Sequence, residues 1–200
     1  MSSNYKIKKD VDIAHAMAQG LASYVRGDEL YGNTGTGGFF SAMPSLTVGA
    51  LILRLRRLDV LREHEQMKDR HRKKLDQAVD LYTMTRKEWT HHYTEKMRQE
   101  AHSRLDAMAA FFRECADSEL SCLNNYRPEL LRRTIVQEIM REMTAMNVSD
   151  DDLTEKLNAT DSKFRTYMRP DEFQWSDVLA PIYPQDEFWW LYQKPPQPET

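Results

Sequence analysis

The feature that most constrains this chain is a 78-residue stretch, from Ala50 to Arg127, that contains neither glycine nor proline. Because these residues are the strongest helix breakers, the stretch is expected to be mostly helical. A single helix from Ser45 to Ala116 would be about 110 Å long, whereas a compact domain of 200 residues has a radius of gyration of about 16 Å. The chain therefore either extends as a rod or folds back on itself.

The N-terminal part is predicted to form one helix followed by a loop. Apolar residues recur at steps of three and four between Val11 and Val25, which is typical of an amphipathic helix. Asp10 is expected to cap this helix, and Gly27 to end it in a left-handed conformation. Five of the seven glycines then fall within a Gly-rich loop over residues 27–44.

The Gly- and Pro-free stretch is expected to contain a turn. A stripe of leucines runs through residues 51–61 and fails over residues 62–74, where nine of the thirteen residues are charged. Compactness favours a helical hairpin with its tip there, and an uninterrupted rod is the alternative. Apolar residues resume at Leu75 and continue at helical spacing to Cys115, which predicts one long helix as the spine of the protein.

Two further helices are predicted after this spine. Pro128 suits the first turn of a helix that stops near Asn147 and whose apolar stripe includes Leu131. Ser149 and the three aspartates that follow it favour a short helix to about Leu157.

The predicted fold is therefore all-α. It is an elongated antiparallel helical bundle around one long helix, with an irregular aromatic-rich C-terminal arm. The bundle and its Gly-rich loop are assigned to residues 1–148 and the arm to residues 149–200. The arm is acidic, with five Lys and Arg against eleven Asp and Glu.

Composition indicates a packed core and a surface of mixed charge. Hydrophobic residues make up 40% of the chain and charged residues 30%, with a net charge of −3. No apolar run is long enough for a membrane span, and the first residues lack the pattern of a secretory leader, so a cytoplasmic protein is expected. Cys115 and Cys122 match neither a metal nor a redox motif and are expected to be reduced thiols.

The aromatic arm is the main candidate binding element. Nine of the twenty aromatic residues lie within 29 positions, between Phe164 and Tyr192. Because Trp and Tyr dominate binding hot spots, the arm is predicted to contact a protein partner or a second copy of the chain. The predicted partner-binding residues are Phe173, Trp175, Tyr183, Phe188, Trp189, Trp190 and Tyr192, with Phe39 and Phe40 as a second patch. In the intramolecular alternative, the arm covers the exposed apolar side of the long helix.

A basic segment supports the alternative function, that of a nucleic-acid-binding regulatory or architectural protein. Residues 54–74 contain nine Lys and Arg against four Asp and Glu, and basic helical faces bind phosphate backbones. The cations assigned to this role are Arg54, Arg56, Arg57, Arg62, Arg70, Arg72, Lys73 and Lys74. The acids interleaved among them at helical spacing instead describe a solvated helix face.

Motifs for catalysis, metal binding and nucleotide binding are incomplete. Phe39 follows the last glycine of the loop, where a phosphate-binding loop has lysine. Glu88 and His91 form a single Glu-x-x-His triplet, whereas a di-iron bundle site needs two. An active site assembled from distant residues, with His15, His91 or His92 beside carboxylates, is the enzymatic alternative. No metal, no cofactor and no enzymatic activity are expected, and the predicted function is a helical interaction or scaffold subunit of a protein assembly or homo-oligomer.

Overall fold

The chain is all-α in the computed structural model, which describes residues 5–33 and 44–197. This confirms the predicted fold class. The helices are α1 (Ile7–Arg26), α2 (Val48–Val60), α3 (Asp69–Glu88), α4 (Thr90–Asp117), α5 (Glu119–Asn125), α6 (Arg127–Ala145) and α7 (Asp151–Tyr167). Within the described residues, the only paired strands are β1 (Arg169–Pro170) and β2 (Gln193–Lys194), which are antiparallel and two residues long.

The described residues form two compact units. The first unit is Lys6–Glu100, and the second unit comprises Tyr5 and the described residues from Ala101 onward. The division falls inside α4, whereas the sequence placed its boundary at residue 148. The two boundaries differ because the arm packs on α6 and so shares a unit with it.

The first unit contains the predicted hairpin. After α2, a short 3-10 turn over Leu61–Glu63 leads into a non-helical segment, and α3 begins at Asp69. Both α2 and α3 pack against α1, whose buried face includes Val11, Met17 and Leu21. The charged residues of the tip therefore mark a change of chain direction rather than the middle of a rod.

Two details of α1 correct the sequence analysis. Asp10 lies inside the helix rather than at its start, because Ile7 is also buried and extends the apolar face by one turn. The Asp10 carboxylate is buried and pairs with Arg54 at 3.2 Å and with Arg57 at 3.7 Å. Gly27 ends the helix in an extended conformation, with φ −80° and ψ 169°, and not in the left-handed one.

The predicted long helix is interrupted. α3 ends at Glu88 and α4 begins at Thr90, because Trp89 has the non-helical dihedrals φ −115° and ψ 35°. The Tyr82 and Tyr93 hydroxyls share a hydrogen bond of 2.8 Å across this break. The apolar stripe thus continues while the helical backbone does not, and a break without glycine or proline has no signal in the sequence.

The start of α2 rests on a buried acid. Glu100 is fully buried and accepts hydrogen bonds from the Thr47 hydroxyl at 2.6 Å and from the Gly49 amide at 2.7 Å. The Thr47 side chain also accepts from the Ala50 amide, so it caps the helix. These bonds hold the N-terminus of α2 against α4 within the first unit.

One glycine of the predicted loop has a defined role. Gly32 pairs with Leu46 through two backbone hydrogen bonds of 3.0 and 2.8 Å. A Cβ atom at Gly32 would lie 2.6 Å from the Tyr24 ring, so only glycine fits there without a shift of that ring. Phe39 and Phe40, the second predicted patch, lie outside the described residues.

The predicted end of α6 and start of α7 lie close to their positions in the structure. Asn147 ends α6 at φ 55°, and the Val148 amide donates to the Met143 carbonyl, as in a Schellman motif. The cap of α7 is Asp150 rather than Ser149, the capping residue expected from the sequence: the Asp150 side chain accepts from the Leu153 amide at 3.0 Å.

Two predicted features of these helices are wrong. α7 runs to Tyr167 rather than to Leu157, because the buried side chains Thr160 and Phe164 continue its apolar face. In α6 the buried position is Leu130, and Leu131 is 41% exposed. At the N-terminal end of α6, the apolar stripe predicted from the sequence is therefore one residue away from the buried position.

The cysteines also correct the sequence analysis: Cys115 and Cys122 form a disulfide. The helix breaks between them at Ser118, whose side chain accepts from the Ser121 amide and caps α5. This break brings the two Cα atoms to 4.6 Å. By the chain-entropy argument, a loop this short stabilises the folded state by about 2–3 kcal/mol.

Candidate functional site

The irregular part of the predicted arm, residues 168–197 of the second unit, is called the arm from here on, and backbone hydrogen bonds join its two ends. The β1 and β2 residues pair there, the Asp171 amide donates to the Tyr192 carbonyl, and the Gln174 amide donates to the Leu191 carbonyl. Lys194 forms an ion pair with Asp171, and its hydrogen bond lowers the pKa of that carboxyl. The irregular arm therefore has a fixed conformation.

The inner face of the arm is part of the protein core. Tyr183, Phe188 and Trp190 are at most 1% exposed. Their rings form a chain of edge-to-face contacts, with centroids 4.9 Å apart from Tyr183 to Phe188 and 5.4 Å apart from Phe188 to Trp190. The Trp190 indole N–H donates to the Thr134 hydroxyl of α6 at 3.0 Å. These three residues are therefore buried within the chain, as in the intramolecular alternative, but Trp190 packs on α6 rather than on the predicted long helix.

A buried arginine joins the arm to α6 and α7. Arg133 donates from Nε and Nη2 to the two carboxylate oxygens of Asp161, at 2.6 and 3.0 Å. Its guanidinium carbon also lies 3.9 Å from the centre of the Trp190 ring. Both side chains of the ion pair are largely buried, so water screens their charges little. The guanidinium makes hydrogen bonds to Asp161 along its edge and a cation–π contact with Trp190 through its face.

The outer face of the arm carries a second aromatic cluster, which we call the arm patch: Phe173, Trp175 and Tyr192. All three side chains are half-buried. Phe173 lies 6.4 Å from Trp175 and 5.1 Å from Tyr192 between ring centroids. Trp175 stands on the buried Tyr183 ring at 5.1 Å, and the Tyr192 hydroxyl donates to the Tyr183 carbonyl. The arm patch is therefore anchored to the core, and each of its three side chains stays partly exposed.

Trp189 differs from its neighbour Trp190. It is half-buried, lies edge to face against Phe164 at 6.1 Å, and is covered by the Arg165 guanidinium at 4.4 Å. Of the seven predicted partner-binding residues in the arm, three are thus buried and four are half-buried. The partner-binding role of those four stays a prediction.

The basic segment is largely neutralised inside the first unit. Arg57 is buried beside Asp10, and Arg70 donates to the His71 ring. Five of the eight predicted nucleic-acid-binding cations lie within 4.0 Å of a carboxylate, namely Arg54, Arg57, Arg62, Arg72 and Lys74. The remaining three are Arg56, which is half-buried, and Arg70 and Lys73, which are exposed.

Glu129 of α6 is an acid that the sequence analysis missed. Its side chain is 3% exposed and accepts a hydrogen bond from Arg132, while its Oε2 atom has no hydrogen-bond partner among the described residues. Burial raises the pKa of Glu129 to about 7, and the Glu114 carboxylate acts in the same direction against Arg132. Because this pKa lies near neutral pH, the stability of the second unit depends on pH.

We expect the second unit to lose stability as the pH rises from about 4.5 to above 7. Folded Glu129 then holds its proton more tightly than the unfolded chain does, so ionisation favours unfolding. The loss reaches at most about 3 kcal/mol. Urea unfolding at pH 5.5 and pH 8 measures it, and Glu129→Gln should flatten the pH profile and stabilise the unit at pH 8. An unchanged profile in this variant would contradict the assignment.

The histidines of the enzymatic alternative lie apart from carboxylate clusters. His91 and His92 are exposed, and their rings lie 5.8 Å apart, beside Trp89. His15 is half-buried in α1. Residues 5–33 and 44–197 contain no group of three or more His, Cys, Asp or Glu side chains that could hold a metal ion.

Comparison with known proteins adds no family assignment: no protein-family model, curated protein or solved structure matches this chain. Among the described helices, none combines the length and the apolar character that a bilayer crossing requires.

Proposed function

We propose that this protein is a non-enzymatic helical interaction subunit that contacts a protein partner, or a second copy of itself, through the arm patch. The observation that carries the proposal is the pairing of two aromatic clusters on one arm. The inner cluster anchors the arm in the core, and the outer cluster presents Phe173, Trp175 and Tyr192 to the surface.

The composition and rigidity of the arm patch support this role. Trp and Tyr are the residue types most enriched at binding hot spots. The hydrogen bond from the Tyr126 hydroxyl to Gln174, at 2.8 Å, adds to the backbone bonds that fix the arm. Because these side chains are already ordered, binding costs less conformational entropy than it would for a flexible tail.

The nucleic-acid alternative has less support. Each phosphate contact needs a protein cation that can replace the counterions condensed on the nucleic acid. Arg54 and Arg57 share the buried Asp10, and Arg62 is paired with Asp59 and Asp76. These ion pairs make the basic segment a weaker candidate for binding than the arm patch.

Affinity purification of the tagged full-length protein from its own host, with and without nuclease, tests the proposal. Sedimentation velocity over a hundredfold range of protein concentration tests self-association in parallel. We expect either a stoichiometric protein that survives nuclease treatment or a concentration-dependent oligomer. A protein that stays monomeric and retains only nuclease-sensitive material would contradict the proposal and favour the basic segment.

We expect the double variant Phe173→Ser, Trp175→Ser to reduce recovery of that partner, or the oligomer association constant, at least tenfold, because each hot-spot residue contributes about 2 kcal/mol or more. Leu120→Ser is the matched control, since Leu120 is a 59% exposed apolar residue of the same unit. The control should bind like the wild type. Equal loss in both variants would contradict a specific role for the arm patch.

A further inference from the structure

A cavity of about 300 Å³ lies between α4 and α7 in the second unit. Its apolar lining includes Leu105, Ala109 and Phe112 from α4 and Ala159 from α7. Phe112 is fixed by two ring contacts, at 5.0 Å to Phe164 and by stacking at 5.8 Å on Tyr167. The apolar floor is therefore rigid, and the exposed Ala109 and Ala159 leave it open to solvent.

Cations outnumber acids around this cavity. Lys156 and Asp106 line it and lie 3.6 Å apart, so their charges offset each other. Arg113 and Lys163 also line it, and neither has a carboxylate within 4.0 Å among the described residues. The cavity thus combines an apolar floor with two exposed cations, Arg113 and Lys163, that can face one anion.

We propose that this cavity binds a small amphipathic carboxylate, such as a medium-chain fatty acid. The apolar chain would lie on Leu105, Ala109 and Phe112, and the carboxylate would face Arg113 and Lys163. Small-molecule sites have this character, a mostly apolar cavity with a few convergent polar groups and a volume of about 300–1,000 Å³.

Octanoate joins an apolar chain to one carboxylate, so it is the probe for this site. The site shares no lining residue with the arm patch, so either proposal can fail without the other.

The test is a titration of the full-length protein with octanoate, 1-octanol and acetate, followed by amide chemical shifts in NMR. We expect octanoate to bind about fivefold more tightly than 1-octanol, because only octanoate engages the cations, and acetate to bind too weakly to saturate. The largest shifts should lie around Ala109 and Ala159. Equal affinity for octanoate and 1-octanol, or shifts that map elsewhere, would overturn the proposal.

Matched variants separate the two parts of the site. Arg113→Gln and Lys163→Gln should each weaken octanoate binding about threefold and leave 1-octanol binding unchanged, while Arg127→Gln, an exposed cation of the same unit outside the cavity, should change neither. Ala159→Trp should fill the cavity and weaken both ligands at least tenfold. Asn158→Trp adds the same side chain one residue away, outside the lining, and should have no effect. Unchanged octanoate affinity in Ala159→Trp would overturn the site.

Discussion

Trp190→Ala is expected to lower the free energy of unfolding of the second unit by about 3–5 kcal/mol, the usual range for removal of a buried tryptophan. Trp190 is 1% exposed and contacts Phe188, the Arg133 guanidinium and the Thr134 hydroxyl. Removal of the Trp190 side chain leaves a cavity, and the buried Arg133 guanidinium loses the aromatic ring that it packs on. Urea unfolding followed by circular dichroism measures the loss.

Trp189→Ala is the control, because it removes the same side chain from the adjacent position. Trp189 is half-buried and rests on Phe164 and Arg165 at the surface, so we expect less than half the loss of Trp190→Ala. Equal losses would contradict the division of the arm into an inner and an outer face.

Because the inner face of the arm is part of the core, deletion of the chain after Arg169 is expected to unfold the second unit rather than leave its helices intact.

Arg133→Met is expected to destabilise the second unit by about 3–5 kcal/mol. The substitution leaves the Asp161 carboxylate without its two charge-assisted hydrogen bonds in a largely buried position. Removing one member of a buried ion pair costs this much because the other charge is left uncompensated. Thermal and urea unfolding of the variant, compared with Arg127→Met at the exposed start of α6, measure the effect.

The double variant Arg133→Met, Asp161→Leu distinguishes the loss of the pair from the burial of a lone charge. Replacing both members of a buried ion pair by apolar residues is often neutral or stabilising. We therefore expect the double variant to recover most of the stability that Arg133→Met loses. A double variant that is less stable than either single variant would show that the ion pair itself stabilises the fold.

Helix boundaries set by local chemistry could be predicted from the sequence. Pro128 and Asn147 act within one helical turn, through a fixed φ and a left-handed stop, whereas the side-chain cap of α7 falls on Asp150, one residue after the expected Ser149. The turn after α2 was also predictable, because a segment with one apolar residue in thirteen cannot bury a face.

Features that depend on residues distant in sequence could not be predicted. Asp10 is a residue type that often caps helices, so the sequence suggests a cap. The ion pairs with Arg54 and Arg57 of α2, which show that it is a buried acid, depend on the tertiary fold. The ion pair between Arg133 and Asp161 joins residues of two different helices. The disulfide depends on a helix break at Ser118, which the spacing of the cysteines does not reveal.

The arm shows the same limit at the candidate site. Trp189 and Trp190 are adjacent and chemically identical, so composition marks both as binding candidates. The fold buries Trp190 against α6 and leaves Trp189 at the surface. Which aromatic residues can contact a partner is therefore decided by the packing of the arm, and this packing leaves Phe173, Trp175 and Tyr192 as the arm patch.

Site-specific photo-crosslinking shows whether the outer face of the arm contacts a protein. A photoreactive phenylalanine analogue would replace Trp175 in the full-length protein in its host, with the exposed Leu120 as the control site. We predict a discrete protein–protein cross-link, to a partner or to a second copy, from position 175 and none from position 120. A cross-link from position 120 alone, or none from position 175 in a correctly folded protein, would contradict the account.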